Sequence, residues 1–150
     1  MATTGANPVF VDTNVLIYSK VTTSPLHVAA RNKLQALTLA GHPLWFSRQV
    51  VREFLASMSR PGTVTPPLPM SALLAEVQTL LAQFLVAEDG PGVMAELVSL
   101  LNAVACAGKQ VHDANIVATM LAHGIPRLLT HNVADFNRFT GHITVLPLVP

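Results

Sequence analysis

Short apolar runs, each set apart from the next by a longer stretch of helical periodicity, constrain this chain more than any other feature. Val9-Phe10-Val11, Leu44-Trp45-Phe46, Arg127-Leu128-Leu129-Thr130 and Ile143-Thr144-Val145-Leu146 are near-continuous rather than alternating in hydrophobicity, as strands buried on both faces are. Between them, periodicity predicts a short helix through Val15-Leu16-Ile17-Tyr18 capped by Asp12-Thr13-Asn14, then one from about Leu26 to Leu39. Further helices follow from Ser47 as N-cap to Ser59, from Ser71 to about Phe84, from Pro91 through Val93 to Ala107, and from about His112 to His123, ended by Gly124 and Pro126. Strands alternating with amphipathic helices predict an α/β, three-layer domain with a central parallel sheet flanked by helices. The 150 residues suit one domain over 1–150, interrupted only by an exposed connector at 60–69, where four of ten residues are proline.

Only 11% of residues are charged and 51% are hydrophobic, against about 25% charged in an ordinary globular chain. Disorder is excluded, and so little surface charge predicts an apolar face buried against a partner. The apolar stretches 72–87 and 93–108 are broken by Glu76, Gln78, Gln83, Glu96, Ser99 and Asn102, short of the roughly 18 apolar residues a membrane span needs. No leader is recognisable in Met1 to Pro8, so a cytoplasmic location is expected. The lone Cys106 sits in an apolar run and is expected in the core.

With eight acidic residues in all, each position carries information. Asp12 directly follows a strand, at the carboxyl end where open α/β sheets place ligands, although it could equally cap the next helix. Asp113 has Ile116, Val117, Met120 and Leu121 at helical spacing, which puts its carboxylate on an apolar face where it needs a partner or a metal; a first-turn cap is the alternative. Glu53 borders the stripe of Val50, Val51, Phe54, Leu55 and Met58 and, taken alone, reads as a solvated flank residue. Asp135 follows the Leu128-Leu129-Thr130 strand, where a turn-capping Asp is the ordinary explanation.

Were Asp12, Glu53, Asp113 and Asp135 to converge, their mutual repulsion would demand protons or cations. Hard oxygen donors select Mg²⁺ or Mn²⁺, ions that acidify water and stabilise charge on a phosphodiester during in-line displacement. The six His are scattered and form no HExxH pattern, which argues against zinc. Setting those four acids aside leaves nine basic residues against four acidic, about +5, a modest attraction for a nucleic-acid backbone. Lys20, Arg48, Arg52 and Arg60 are the candidate phosphate contacts, each equally at home on a solvated helix face.

Taken in order, four segments resemble the PIN-domain ribonucleases, most closely the VapC-type toxins of toxin-antitoxin pairs. Val9 to Tyr18 (VFVDTNVLIY) resembles the opening strand and first Asp, Ser47 to Phe54 (SRQVVREF) the helix bearing a conserved Glu, and His112-Asp113-Ala114 the third acid's helix start. Thr130 to Phe136 (THNVADF) resembles the closing T-x-N-x-x-D-F element, the most specific of the four. The resemblance implies Mg²⁺ or Mn²⁺ ligands at Asp12, Asp113 and Asp135, with Glu53 completing a catalytic acidic pocket and Thr13, Asn14, Thr130 and Asn132 as supporting polar groups. It also implies an RNA substrate, a homodimer and a cognate VapB-like antitoxin. The proline-laden connector departs from the family pattern.

The sequence leaves two rivals to a metal-dependent endoribonuclease. One is a non-catalytic PIN-like scaffold that binds a partner protein and uses the acids only to hold a structural ion. The other is a phosphatase of the haloacid dehalogenase type, disfavoured because Asn14 stands where a D-x-D signature needs its second Asp. An HD-type phosphohydrolase would need further spaced His and Asp ligands beyond His112-Asp113.

Overall fold

The computed structural model describes residues 7–150; the first six residues, within the segment read as lacking a leader, lie outside the described residues. Five strands form one parallel sheet in the order β3-β2-β1-β4-β5: β1 Val9–Val11, β2 Leu44–Phe46, β3 Leu85–Val86, β4 Arg127–Thr130 and β5 Thr144–Pro147. Val9, Phe10 and Val11 are wholly buried, as are Leu128 and Leu129 beside them. The all-apolar runs are therefore the central strands, covered on both faces.

The helices are α1 Thr13–Lys20, α2 His27–Leu39, α3 Arg48–Met58, α4 Met70–Gln83, α5 Pro91–Ala103, α6 Gln110–Ala122 and the single turn α7 Val133–Phe136, which runs into a 3₁₀ turn, Asn137–Phe139. The chain lays down β1, β2 and β3 outward to one edge, then returns past them to β4 and β5. Because parallel crossovers are right-handed, the connections before and after β3 cover opposite faces. In keeping with this, α1 packs on α2 and α3, whereas α6 packs on α5 and α7. The reversal of direction falls between β1 and β4, and a crevice outside the carboxyl ends of these two strands is where such a sheet binds ligands.

Several boundaries differ from the sequence expectations, for identifiable reasons. Helix α4 starts at Met70 with Pro69 in the cap position, since a proline sets the backbone angle of a helix entry without needing a donor; Ser71 is already helical. Helix α5 stops at Ala103 rather than Ala107, and α6 begins two residues before His112. Strand β5 is displaced by one residue to Thr144–Pro147, because its pairing with Arg127 to Thr130 sets its bounds. Strand β3 was not anticipated; it is two residues long and exists through its parallel pairing with β2. Phe46 of β2 stacks on Phe84, with centroids 4.9 Å apart, which pins the end of α4 against the sheet just before β3. Cys106 is half-buried against the core, and residues 60–69 link α3 to α4 largely in solvent. No helix among the described residues is long and apolar enough to cross a membrane.

Candidate active site

Asp12 leaves β1 while its backbone N–H still donates to Leu129 of β4, which fixes it beside Thr130. Its Oδ1 accepts the Thr13 backbone N–H at 2.8 Å, and its Oδ2 accepts from Thr130 Oγ1 at 2.8 Å and Asn14 Nδ2 at 3.1 Å. The capping and ligand-site readings thus coincide in one residue: Asp12 caps α1 and lies at the carboxyl end of the central strand. Burial pushes its pKa above the usual carboxylate value; hydrogen bonds from Thr130, Thr13 and Asn14 oppose the rise, and the charge of Glu53 adds to it.

Thr130 is wholly buried and its single hydroxyl serves three neighbours. It donates to Asp12 and accepts from Asn14 Nδ2 at 3.2 Å and from the Asn132 backbone N–H at 3.0 Å. Asn14 Oδ1 in turn accepts the His131 N–H at 3.0 Å. The start of α1 and the end of β4 are therefore laced together by side chains that fill one another's hydrogen-bonding capacity.

Glu53 is not the solvated flank residue its own helix suggested. It is half-buried, its Oε2 accepting from Thr13 Oγ1 at 2.8 Å and its Oε1 from Gln49 Nε2 at 3.0 Å. Gln49 also donates to the His112 carbonyl at 3.2 Å and accepts from Asn115 Nδ2 at 3.0 Å. Sequence reasoning passed over both amides, although Gln49 precedes Glu53 by four residues and so shares its helix face.

Asp113 lies in the first turn of α6 but does not cap it, since Lys109 holds the cap position without a side-chain bond. It is half-buried, above the apolar face formed by Ala114, Ile116, Val117 and Met120. Burial, then the charges of Asp135, Asp12 and Glu53, push its pKa from 3.8 up to about 6, with Arg138 opposing. Asp135 stands exposed in α7, where no side chain caps the helix, so the turn-capping explanation does not apply.

All four acids, with Thr13, Asn14 and Asn132, line one open cleft of about 290 Å³, floored by Ile17, Ile116 and Phe136. The cations proposed from sequence stand elsewhere. Lys20 pairs with Glu76 at 3.0 Å and borders a separate cavity of about 540 Å³ between α1, α2 and α4. Arg48 forms a bidentate pair with Glu88 at 2.6 and 2.8 Å, and Arg52 and Arg60 are exposed outside the lining. Among the described residues Arg138 is the cation whose charge reaches Asp113, and it was missed in the sequence because its place follows from the turn after α7.

As a metal site the cleft fits in chemistry: its charged donors are all carboxylates, and none of the four is ion-paired among the described residues. No three His, Cys, Asp or Glu side chains among the described residues converge enough to enclose an ion alone. An ion held here would keep several of its waters, as a hard divalent cation does when it takes only one or two carboxylates directly.

Comparison with known proteins bears on the fold that carries this cleft. The fold matches a chain of VapBC2 from Rickettsia felis, solved bound to a DNA fragment from its promoter, at a TM-score of 0.68 and 14% identity over 93% of this chain and 97% of that one. It matches a chain of VapBC-1 from nontypeable Haemophilus influenzae at a TM-score of 0.68 and 18% identity, over 95% and 98%. VapC20 of Mycobacterium tuberculosis, a Sarcin-Ricin loop cleaving toxin, matches at a TM-score of 0.64 and 18% identity, over 93% and 99%. No curated protein sequence matches the chain. At such identities the likeness is one of fold, but the PIN domain family model matches residues 9–141 of the sequence itself, and the chain belongs to the PIN domain family.

Proposed function

We propose that this chain is a metal-dependent endoribonuclease of one nuclease domain, the toxin of a VapBC-type pair. The observation that carries the reading is the cleft: Asp12, Glu53, Asp113 and Asp135 gathered at the switch point of the sheet with no ion-pair partner among the described residues. Asp12, Asp113 and Asp135 would hold Mg²⁺ or Mn²⁺, directly or through water. The ion, when bound, supplies positive charge and a more acidic water.

The chain's own groups then perform the orientation. Thr130 and Asn14 hold the Asp12 carboxylate in one rotamer, and Thr13 and Gln49 hold Glu53. Such preorganisation is what lets charged groups stabilise a developing charge without rearranging. Water adds to phosphorus in line with the P–O3′ bond, and the departing O3′ takes up a proton, leaving a 3′-hydroxyl and a 5′-phosphate. A carboxylate of the cleft accepts the proton of the attacking water.

Exposed Met70 and Leu74 on α4, and separately Met94 and Val98 on α5, leave apolar side chains in solvent and support a protein partner, a second copy or an antitoxin. A toxin acting on cellular RNA would work in the cytoplasm. The scaffold reading draws on the low charge content, 11% of residues, which favours a surface covered by a partner. One experiment separates the two: RNA cleavage by purified, partner-free protein in Mg²⁺, Mn²⁺ or EDTA, beside Asp113→Asn purified identically. The nuclease reading expects metal-dependent cuts with 5′-phosphate ends and a loss of about 10²-fold or more in the variant. A folded Asp113→Asn that cuts as well as the parent overturns it.

A further inference from the structure

Two of the helices bearing the acids belong to different packing groups, α3 lying against α1 and α4, and α6 against α5 and α7. Nevertheless Glu53 of α3 and Asp113 of α6 line the same cleft, and their charges repel. Like charges disfavour each other's ionised form, so the spacing of these two carboxylates depends on what bridges the two helices.

Gln49 supplies such a tie. Its amide nitrogen has two hydrogens; one goes to Glu53 Oε1 at 3.0 Å and the other to the carbonyl of His112, the residue preceding Asp113, at 3.2 Å. Its amide oxygen accepts from Asn115 Nδ2 at 3.0 Å, two residues beyond Asp113. The side chain thus grips α6 on both sides of Asp113 while orienting Glu53. A carboxylate could not replace it, having no hydrogen to donate to either oxygen.

We infer that Gln49 is a positioning residue that sets the separation of the Glu53 and Asp113 carboxylates, and through it the affinity of the cleft for a divalent ion. Its role rests on the divalent-ion reading of the cleft proposed above. Carboxylates that bind metal depend on such hydrogen-bonded neighbours, whose loss costs about 10- to 100-fold in metal affinity or activity.

Gln49→Met keeps the length and helix propensity and removes all three hydrogen bonds. The readout is the melting temperature against Mn²⁺ concentration, without RNA, for the parent and the variant. The expected result is a rise of about 10-fold or more in the Mn²⁺ concentration giving half-maximal stabilisation, with the metal-free melting temperature moved by only a few degrees. An unchanged half-maximal concentration overturns the inference. Should Gln49→Met not fold, Asn115→Ala decides, because it removes only the outer donor: a smaller shift in the same direction supports the role of Gln49, and none overturns it. A parent that cleaves RNA with metal while Gln49→Met matches it in Mn²⁺ dependence sinks this inference alone. A parent that gains no stability from Mn²⁺ and cuts no RNA sinks the metal reading of the cleft and takes the Gln49 inference with it.

Discussion

Asp113 and Glu88 are both carboxylates on the surface of one small domain, yet the structure displaces them in opposite directions. Glu88 receives two hydrogen bonds from Arg48, which hold its carboxyl below the usual range. Asp113 faces burial and three other acids and rises to about 6. The Arg48–Glu88 pair forms a rim outside the cleft lining that is neutralised from within the chain, as is Glu76 by Lys20, whereas the cleft is left short of positive charge. A fold optimised only for stability would have distributed its few cations the other way. The cleft's surplus of negative charge is what the proposed divalent ion would offset.

The contrast is broken most forcefully by adding that cation. A ligand that binds only the folded state at 100 times its Kd stabilises by about 2.7 kcal/mol, which for a chain of this size is a rise of roughly 5–10 °C in melting temperature. Saturating Mn²⁺ or Mg²⁺ is therefore expected to raise the melting temperature by about that much, while a monovalent salt of equal ionic strength raises it little. Equal effects of the two salts would mean that the cleft is no more a cation site than the rim.

The second effect is smaller and concerns protons. Folded Asp113 keeps its proton up to about pH 6, whereas the unfolded carboxyl releases it near 3.8. Between those values the folded state binds the extra proton, so metal-free stability falls as the pH climbs from about 4 through 6. In a sealed site such a rise would correspond to ~3 kcal/mol; half-exposed and screened, Asp113 contributes nearer ~1 kcal/mol. Asp113→Asn removes the penalty, so metal-free melting at pH 7 should occur a few degrees above the parent, with the advantage vanishing near pH 4. A variant that melts lower than the parent at pH 7 would mean that Asp113 has a stabilising partner the cleft does not show.

How much of this was legible in the sequence depended on whether the signal was local. Asp12 announced itself because a β-branched apolar run ends on it, and the parallel sheet followed from such runs alternating with helices. Asp113 was legible because the apolar face of its own helix lies within eight residues of it. Glu53 was misread when taken alone, because what brings it into the cleft is Thr13, forty positions away, together with Gln49. The same limit applied to the cations: nothing near Arg48 in the sequence shows that Glu88, also forty residues off, is bonded to it. Strand β3 had no local signal at all, since Leu85-Val86 continues directly from α4 and becomes a strand only by pairing with β2.

The finest test compares two arginines. Arg138 is exposed, bonds only to the Ala105 carbonyl among the described residues, and lends positive charge to Asp113; Arg48 is engaged by Glu88. If Arg138 meets an RNA phosphate beside the cleft, Arg138→Gln should raise KM several-fold at low salt with kcat little changed, and reduce the salt slope of binding by about 1. Glu88→Gln releases Arg48 and should change cleavage by less than about 2-fold, because an exposed pair contributes little and the freed guanidinium stands outside the cleft. The reverse ranking, a large gain in affinity from Glu88→Gln and none lost from Arg138→Gln, would place the RNA path along the start of α3. Glu88 would then be a built-in competitor for the phosphate, and the neutralised rim would be part of the substrate groove.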